Sequence, residues 1–185
     1  MAVLDDFDVA ADEARRVARA LTADQLGAPS KCAGWAVRDV LNHMVTGGLM
    51  AVSAIRGGPP PDRQADHLGP RPVATFEAAL DDLRAALSEP GVLEQVYPTP
   101  LGPQPGSFLV TMRINELIVH SWDIAAATGQ ETDIAPTLAA NALAAWRARL
   151  GDGPRPPAMP FDDPQPVPDG ATAADALAAF LGRRQ

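Results

Sequence analysis

Apolar residues recur along much of the chain with the three-and-four spacing of amphipathic helices, and the gaps between these runs are dense in proline and glycine. From Asp5 to Leu21, Phe7, Val9, Ala10, Ala14, Val17, Ala18 and Leu21 oppose a polar face of Asp12, Glu13, Arg16 and Arg19, which predicts a first helix. Thr22-Ala23-Asp24-Gln25 has the form of a capping box and predicts a short extra turn ending near Gly27. Pro29 to Gly34 is a connector. A second helix is predicted from about Val37 to Ile55, with Trp35 placed to staple onto Val40 and Asp39 at the third helical position, favourable near the positive helix end. Ala36 is a poor N-cap because it has no side-chain acceptor.

Gly57 to Pro72 is a long loop broken by Gly58, Pro59, Pro60, Pro61, Gly69 and Pro70. Val73 to Ser88 predicts a third helix, apolar through Phe76, Leu80, Leu83 and Leu87 and ended by Pro90-Gly91. An extended piece at Val92 to Tyr97 leads into a Pro/Gly-rich connection from Pro98 to Gly106. The fourth helix, Leu109 to Thr128, is apolar over most of its length and should be largely buried, with Gly129 supplying a left-handed stop. Ile134 to Leu150 predicts a fifth helix, and the proline-rich segment from Gly151 to Gly170 an extended strap. Thr172-Ala173-Ala174-Asp175 is a second capping box, opening a last short helix to about Leu181. The fold class expected is all-α: a four-helix bundle with additional short helices, residues 1–150 forming the bundle and 151–185 a strap and helix packed on the same domain.

Composition narrows the function. A net charge of −8, with Lys31 the only lysine among 15 basic residues, leaves no basic run to neutralise phosphates or anionic lipid, so neither nucleic acid nor membrane is an expected partner. Cys32 is the only cysteine, which excludes a disulfide framework and a cysteine-rich zinc motif. No segment has the form of a signal peptide or of a bilayer span of roughly 20 apolar residues. A cytoplasmic location is expected.

Candidate chemistry concentrates on the fourth helix. Its ionisable residues Arg113, Glu116, His120 and Asp123 are spaced three, four and three, which stacks them on one stripe. The spacing alone fits a wet edge as well as an inward site. Glu116 and His120 lie one turn apart and can serve a single ion, and His43 on the second helix could bring a third donor. Two histidines and a glutamate with an open position make a catalytic rather than a structural zinc set, although nickel or iron would accept the same ligands. His67, in the long loop, reads as exposed and incidental. Gly47 and Gly48 cost the second helix about 1 kcal/mol each relative to alanine. Gly47, one turn from His43, leaves room either for a ligand or for close helix packing. Asp39 reads as a helix-end partner before a support for His43, and Arg113 equally as a carboxylate clamp or a partner of Glu116. Asp123 reads as a brace, Cys32 as small packing, and Trp35 and Trp122 as core anchors.

The run from Cys32 to His43, CAGWAVRDVLNH, resembles the C-x-G-W-[ST]-V-R-D-L-x-x-H signature of the DinB/YfiT-like superfamily, in the branch of the mycothiol-dependent maleylpyruvate isomerase N-terminal domain and its short actinobacterial relatives. Glu116 to Gly129, ELIVHSWDIAAATG, is similar to the same family's E-x-x-x-H-x-W-D-x-A-x-A-T-G, and the ending PQPVPDGATAADALAAFLGR to the tail of the short members. The resemblance implies a DinB/YfiT-like four-helix bundle in which His43, Glu116 and His120 bind one divalent metal, zinc first. It implies an enzyme that uses a low-molecular-weight thiol, mycothiol or one like it, with an electrophilic substrate in an S-transfer or isomerisation. Ala36 departs from the family's Ser or Thr, and the full isomerase has a further C-terminal domain where this sequence has only about 35 residues after the fifth helix. Two alternatives stand beside the enzyme: a non-catalytic metal-binding or regulatory domain, and a helical interaction module whose stripe faces water. The oligomeric state is left open, a homodimer included.

Overall fold

Four helices close a ring in which each touches two neighbours. The computed structural model describes residues 2–99, 102–156, 159 and 161–184. Helix α1 (Ala2–Arg19) packs on α4 (Gly106–Thr128) and on α3 (Pro72–Leu87), and α2 (Val37–Arg56) closes the ring by packing on α3 and α4. Phe7, Leu41, Phe76, Leu87 and Ile118 are fully buried between them. Each such side chain contributes about 1.5–3 kcal/mol by leaving water. Helix α5 (Pro136–Leu150) and the short α6 (Ala173–Phe180) pack against each other and against α4. The architecture is the all-α bundle with helical additions that the pattern predicts.

Helix α4 is the centre of the molecule. Every residue from Leu117 to Ala125 is buried, because α1 and α2 cover one side and α5 and α6 another. Gly129 closes it at φ 71°, the left-handed cap expected of a glycine there. Its start is earlier than the sequence suggests, at Gly106 rather than Leu109. A Cβ at Gly106 would overlap the Val92 carbonyl oxygen, so the glycine is required by a close approach and belongs to the helix. The Gly106 and Ser107 amides donate to the carbonyls of Gln95 and Leu93, which moors this approach.

Other boundaries also differ. Helix α1 begins at Ala2, not Asp5, and α5 begins at Pro136, not Ile134. Ile134 is fully buried and continues the apolar rhythm, but Ala135 turns left-handed (φ 42°) and proline takes the first helical position. Of the expected extended piece at 92–97, only Val96–Tyr97 (β1) is a strand, paired antiparallel with Gln104–Pro105 (β2) so that Val96 faces Pro105. Asp24–Gly27 forms a single tight turn after Thr22, whose amide donates to Gln25 Oε1. The capping box at the start of α6 is complete: the Asp175 amide donates to Thr172 Oγ1 and the Thr172 amide to Asp175 Oδ2. Positions 100 and 101 of the 98–106 connection, and 157, 158 and 160 of the strap, lie outside the described residues.

The strap ties down the end of α6. The Gln165 amide donates to the Ala179 carbonyl, Arg155 Nη2 donates to the Phe180 carbonyl, and Phe161 lies edge-on to Trp146 with ring centroids 5.3 Å apart. Among the described residues, no helix is long and apolar enough to cross a membrane.

Candidate metal centre

Helices α2 and α4 cross so that His43 and the stripe on α4 meet. His43 Nε2 lies 2.9 Å from Glu116 Oε2, and His120 Nε2 lies 3.6 Å from the same oxygen. One donor atom from each of the three residues falls within 4.8 Å of the others. Donors at about 2.0–2.1 Å around a tetrahedral ion sit about 3.3 Å apart, so the spread of this set suits one ion. The three residues fit a divalent metal by chemistry and by spacing. The stripe is not a wet edge: its side chains are 19% (Arg113), 26% (Glu116), 11% (His120) and 0% (Asp123) exposed, while His43 at 35% marks the side open to solvent.

His120 is held from behind. Its Nδ1 is 3.0 Å from Asp123 Oδ2, which leaves Nε2 as the ring atom aimed at Glu116. Asp123 in turn receives Arg183 through two bonds, Nε to Oδ1 and Nη2 to Oδ2, each 3.1 Å. Asp123 is the brace the sequence suggests, and Arg183 is the residue that the pattern of helices gave no means of finding. The one signal is Gly182, a stop just beyond a capped helix.

The electrostatics follow from burial and pairing. Burial alone would raise the Glu116 pKa, but hydrogen bonds from His120 and His43 and the charge of Arg113 outweigh it and hold the carboxyl far below the usual range. For His120 burial works downward, yet Asp123 and Glu116 raise its pKa. Asp123 is lowered, its burial overcome by His120 and Arg183. A proton is therefore favoured on the imidazole between these carboxylates.

The remaining candidates settle individually. Arg113 Nη2 is 3.8 Å from Glu116 Oε1, and its guanidinium fills the notch that Gly47 leaves, so that notch is neither empty room beside His43 nor a backbone contact. A narrow apolar cleft lined by Met44, Gly48, Phe76 and Leu83 reaches Arg113 and Glu116. Asp39 Oδ2 accepts from the Ala36 amide and so serves the helix end; Ala36 has no side-chain acceptor, and its carbonyl takes the Asp39 and Val40 amides instead. Trp122 is a core anchor, but Trp35 is only partly buried, and its ring stands 5.0 Å from that of His43 and 6.5 Å from that of His120. It is a wall of the site. His67 is partly buried rather than free: Nε2 lies 2.7 Å from the Asp62 carbonyl, and its amide donates to Asn42, next to His43. Cys32 packs on the core; burial first, then the charges of Asp123 and Glu116, push its thiol pKa up, against the opposing charge of Arg183.

A helical bundle of DinB-like fold with two imidazoles and a carboxylate converging between α2 and α4 defines the class. The chain belongs to the mycothiol maleylpyruvate isomerase N-terminal domain family, whose sequence profile matches residues 7–125. Uncharacterized proteins from two strains of Mycobacterium tuberculosis, CDC 1551 / Oshkosh and ATCC 25618 / H37Rv, are each 41% identical over 165 residues, covering 87% of this chain and 86% of theirs. Crystal structures of mycothiol-dependent maleylpyruvate isomerase share the fold. A histidine-to-alanine mutant superposes with a TM-score of 0.58 at 19% identity and the unmutated protein with 0.55 at 18%, each over 82% of this chain and 72% of the other.

Proposed function

We propose that this protein is a metal-dependent enzyme that uses a low-molecular-weight thiol, mycothiol or a close analogue, in an S-transfer or isomerisation of an electrophilic small molecule. One observation carries the reading: the Nε2 atoms of His43 and His120 and Oε2 of Glu116 converge, with solvent access on the His43 side. Family membership supports the thiol. A divalent ion held there, zinc first and nickel or iron as alternatives, would supply Lewis acidity that makes a coordinated thiol ionise at neutral pH.

The chain's own residues do the rest. His43 and His120 would hold such an ion through ring nitrogens, and Glu116 would offset one positive charge. Asp123 holds the His120 ring by its Nδ1 proton. Trp35 shields the two rings from water on one side. Arg113 places a guanidinium beside Glu116 and helps to hold its carboxylate charged. The cytoplasm, where small thiols are kept reduced, is the compartment this chemistry requires.

The test is thiol titration of cobalt-loaded protein beside the His120→Ala variant. A thiolate-to-cobalt charge-transfer band and thiol-dependent turnover, both lost in the variant, are expected. Turnover that survives removal of the metal would refute the mechanism. Metal binding with no response to any thiol would leave a metal-binding domain without catalysis.

A further inference from the structure

We propose that Arg183 is a positioning residue for the metal centre, anchoring Asp123 so that Asp123 fixes the His120 ring and presents Nε2 to the ion. The inference rests on the metal-centre reading above and extends it to a part of the chain beyond the residues the family profile matches, 7–125.

Asp123 and His120 sit three residues apart on one helix, a spacing that brings the two side chains together but does not by itself fix the plane of the carboxylate. Arg183 supplies that hold. Its guanidinium meets both carboxylate oxygens, and Asp123 Oδ2 is left with room for His120 Nδ1 on its other side. The fork is planar and rigid, so it sets the plane of the carboxylate as well as its charge. Asp123 is wholly buried and the Arg183 side chain only 10% exposed, so the pair is largely shielded from solvent.

The tail is built to deliver this side chain. Helix α6 is tied to α4 at its start, where Trp122 Nε1 donates to Asp175 Oδ1 at 2.7 Å. It ends in a Schellman motif: the Arg183 amide donates to the Ala178 carbonyl and the Gly182 amide to that of Ala179, with Gly182 at φ 87°. That left-handed turn sends Arg183 back toward Asp123. A Cβ at Gly182 would come within 2.6–2.8 Å of Asp162 in the strap, so the strap closes over the turn and confines it. Adjacent residues of α4, Trp122 and Asp123, therefore take the two ends of α6.

The experiment measures zinc affinity by competition with a chelator for wild type, Arg183→Met, Asp123→Asn and the double variant, with melting temperatures in parallel. Loss of such a support weakens zinc about 10–100-fold. Arg183→Met should show a loss of that size, Asp123→Asn a comparable one, and the double variant no more than Asp123→Asn alone. A tail that merely staples the fold would lower the melting temperature and leave zinc affinity at the wild-type value. That result, or losses that multiply in the double variant, overturns the proposal. Should Arg183→Met not fold, Arg183→Lys keeps the charge without the fork; a measurable loss supports the proposal and wild-type affinity overturns it. If wild type itself binds no zinc, the metal reading fails and the positioning role is decided separately. Long-range proton–nitrogen NMR on the neutral His120 ring should give the Nδ1–H tautomer in wild type and a mixture in the arginine variant. An unchanged tautomer would overturn it.

Discussion

Gly47 and Gly48 stand side by side in α2 with the same intrinsic cost, so alanine at each position isolates what lies outside the helix. Replacing glycine by alanine in a helix interior gains about 1 kcal/mol. At Gly48 a new Cβ would meet only Leu83 Cδ2, at 3.7 Å, an ordinary contact. The full gain should appear there. At Gly47 the Cβ would land inside the guanidinium of Arg113, 3.2 Å from Cζ, and evict it. That group is the far end of a flexible side chain, so the backbone need not move. Its pairing with Glu116, at 3.8 Å and partly screened, accounts for about 0–1 kcal/mol, which offsets the gain. For a chain of this size, 1 kcal/mol moves the melting temperature by about 2–4 °C. Thermal unfolding of metal-free protein, followed by circular dichroism, should show Gly48→Ala raised by that amount and Gly47→Ala near wild type. The three proposed metal ligands are untouched in both, so zinc binding, if the proposal holds, should persist. Equal gains at the two positions would show that displacing Arg113 costs nothing, against the pairing assigned to it, and destabilisation by Gly48→Ala would refute the packing of α2 on α3.

A third glycine reverses the sign. At Gly106 the added Cβ would overlap backbone, the Val92 carbonyl, so Gly106→Ala should lose about 1–3 kcal/mol in chemical denaturation despite its better helix propensity, and a stabilised variant would contradict this. The metal-free protein should also have a defined pH window of stability. Glu116 and Asp123, held below their ordinary 4.5 and 3.8, add stability that is complete above those values and lost as pH falls through the depressed ones. His120, raised above its ordinary 6.5, adds stability that is complete below 6.5 and lost as pH rises through the raised value. Melting in the presence of a chelator should therefore be highest between about pH 4.5 and 6.5 and decline on either side. Zinc, which needs neutral imidazoles, should shift that optimum upward; a metal-free profile still rising as His120 loses its proton would be the contrary result.

Much of this is legible in the sequence. Helices α2 and α4 announce themselves by period, by Asp39 at one start and by Gly129 at one stop, and the motifs around His43 and His120 point to one site. Periodicity could not say which way the stripe on α4 faces, because its direction depends on what packs around α4. With α1 and α2 on one side and α5 and α6 on another, no edge is left for water along 117–125. Trp35 read as core because aromatic residues before a helix often staple it, whereas here it borders two imidazoles. Gly106 read as part of a connection because a glycine needed for close approach and a glycine needed for a turn look alike in sequence. Arg183 was out of reach for a simpler reason: a helical pattern says how a tail folds, not where it lands.

The metal site is tested by the metal content of untagged protein, wild type beside a His43→Ala/His120→Ala variant, after purification and again after incubation with zinc or nickel. About one equivalent is expected in the wild type and none in the variant, as for a single two-imidazole, one-carboxylate site. A wild type that takes up no metal, or a variant that holds as much, would contradict it.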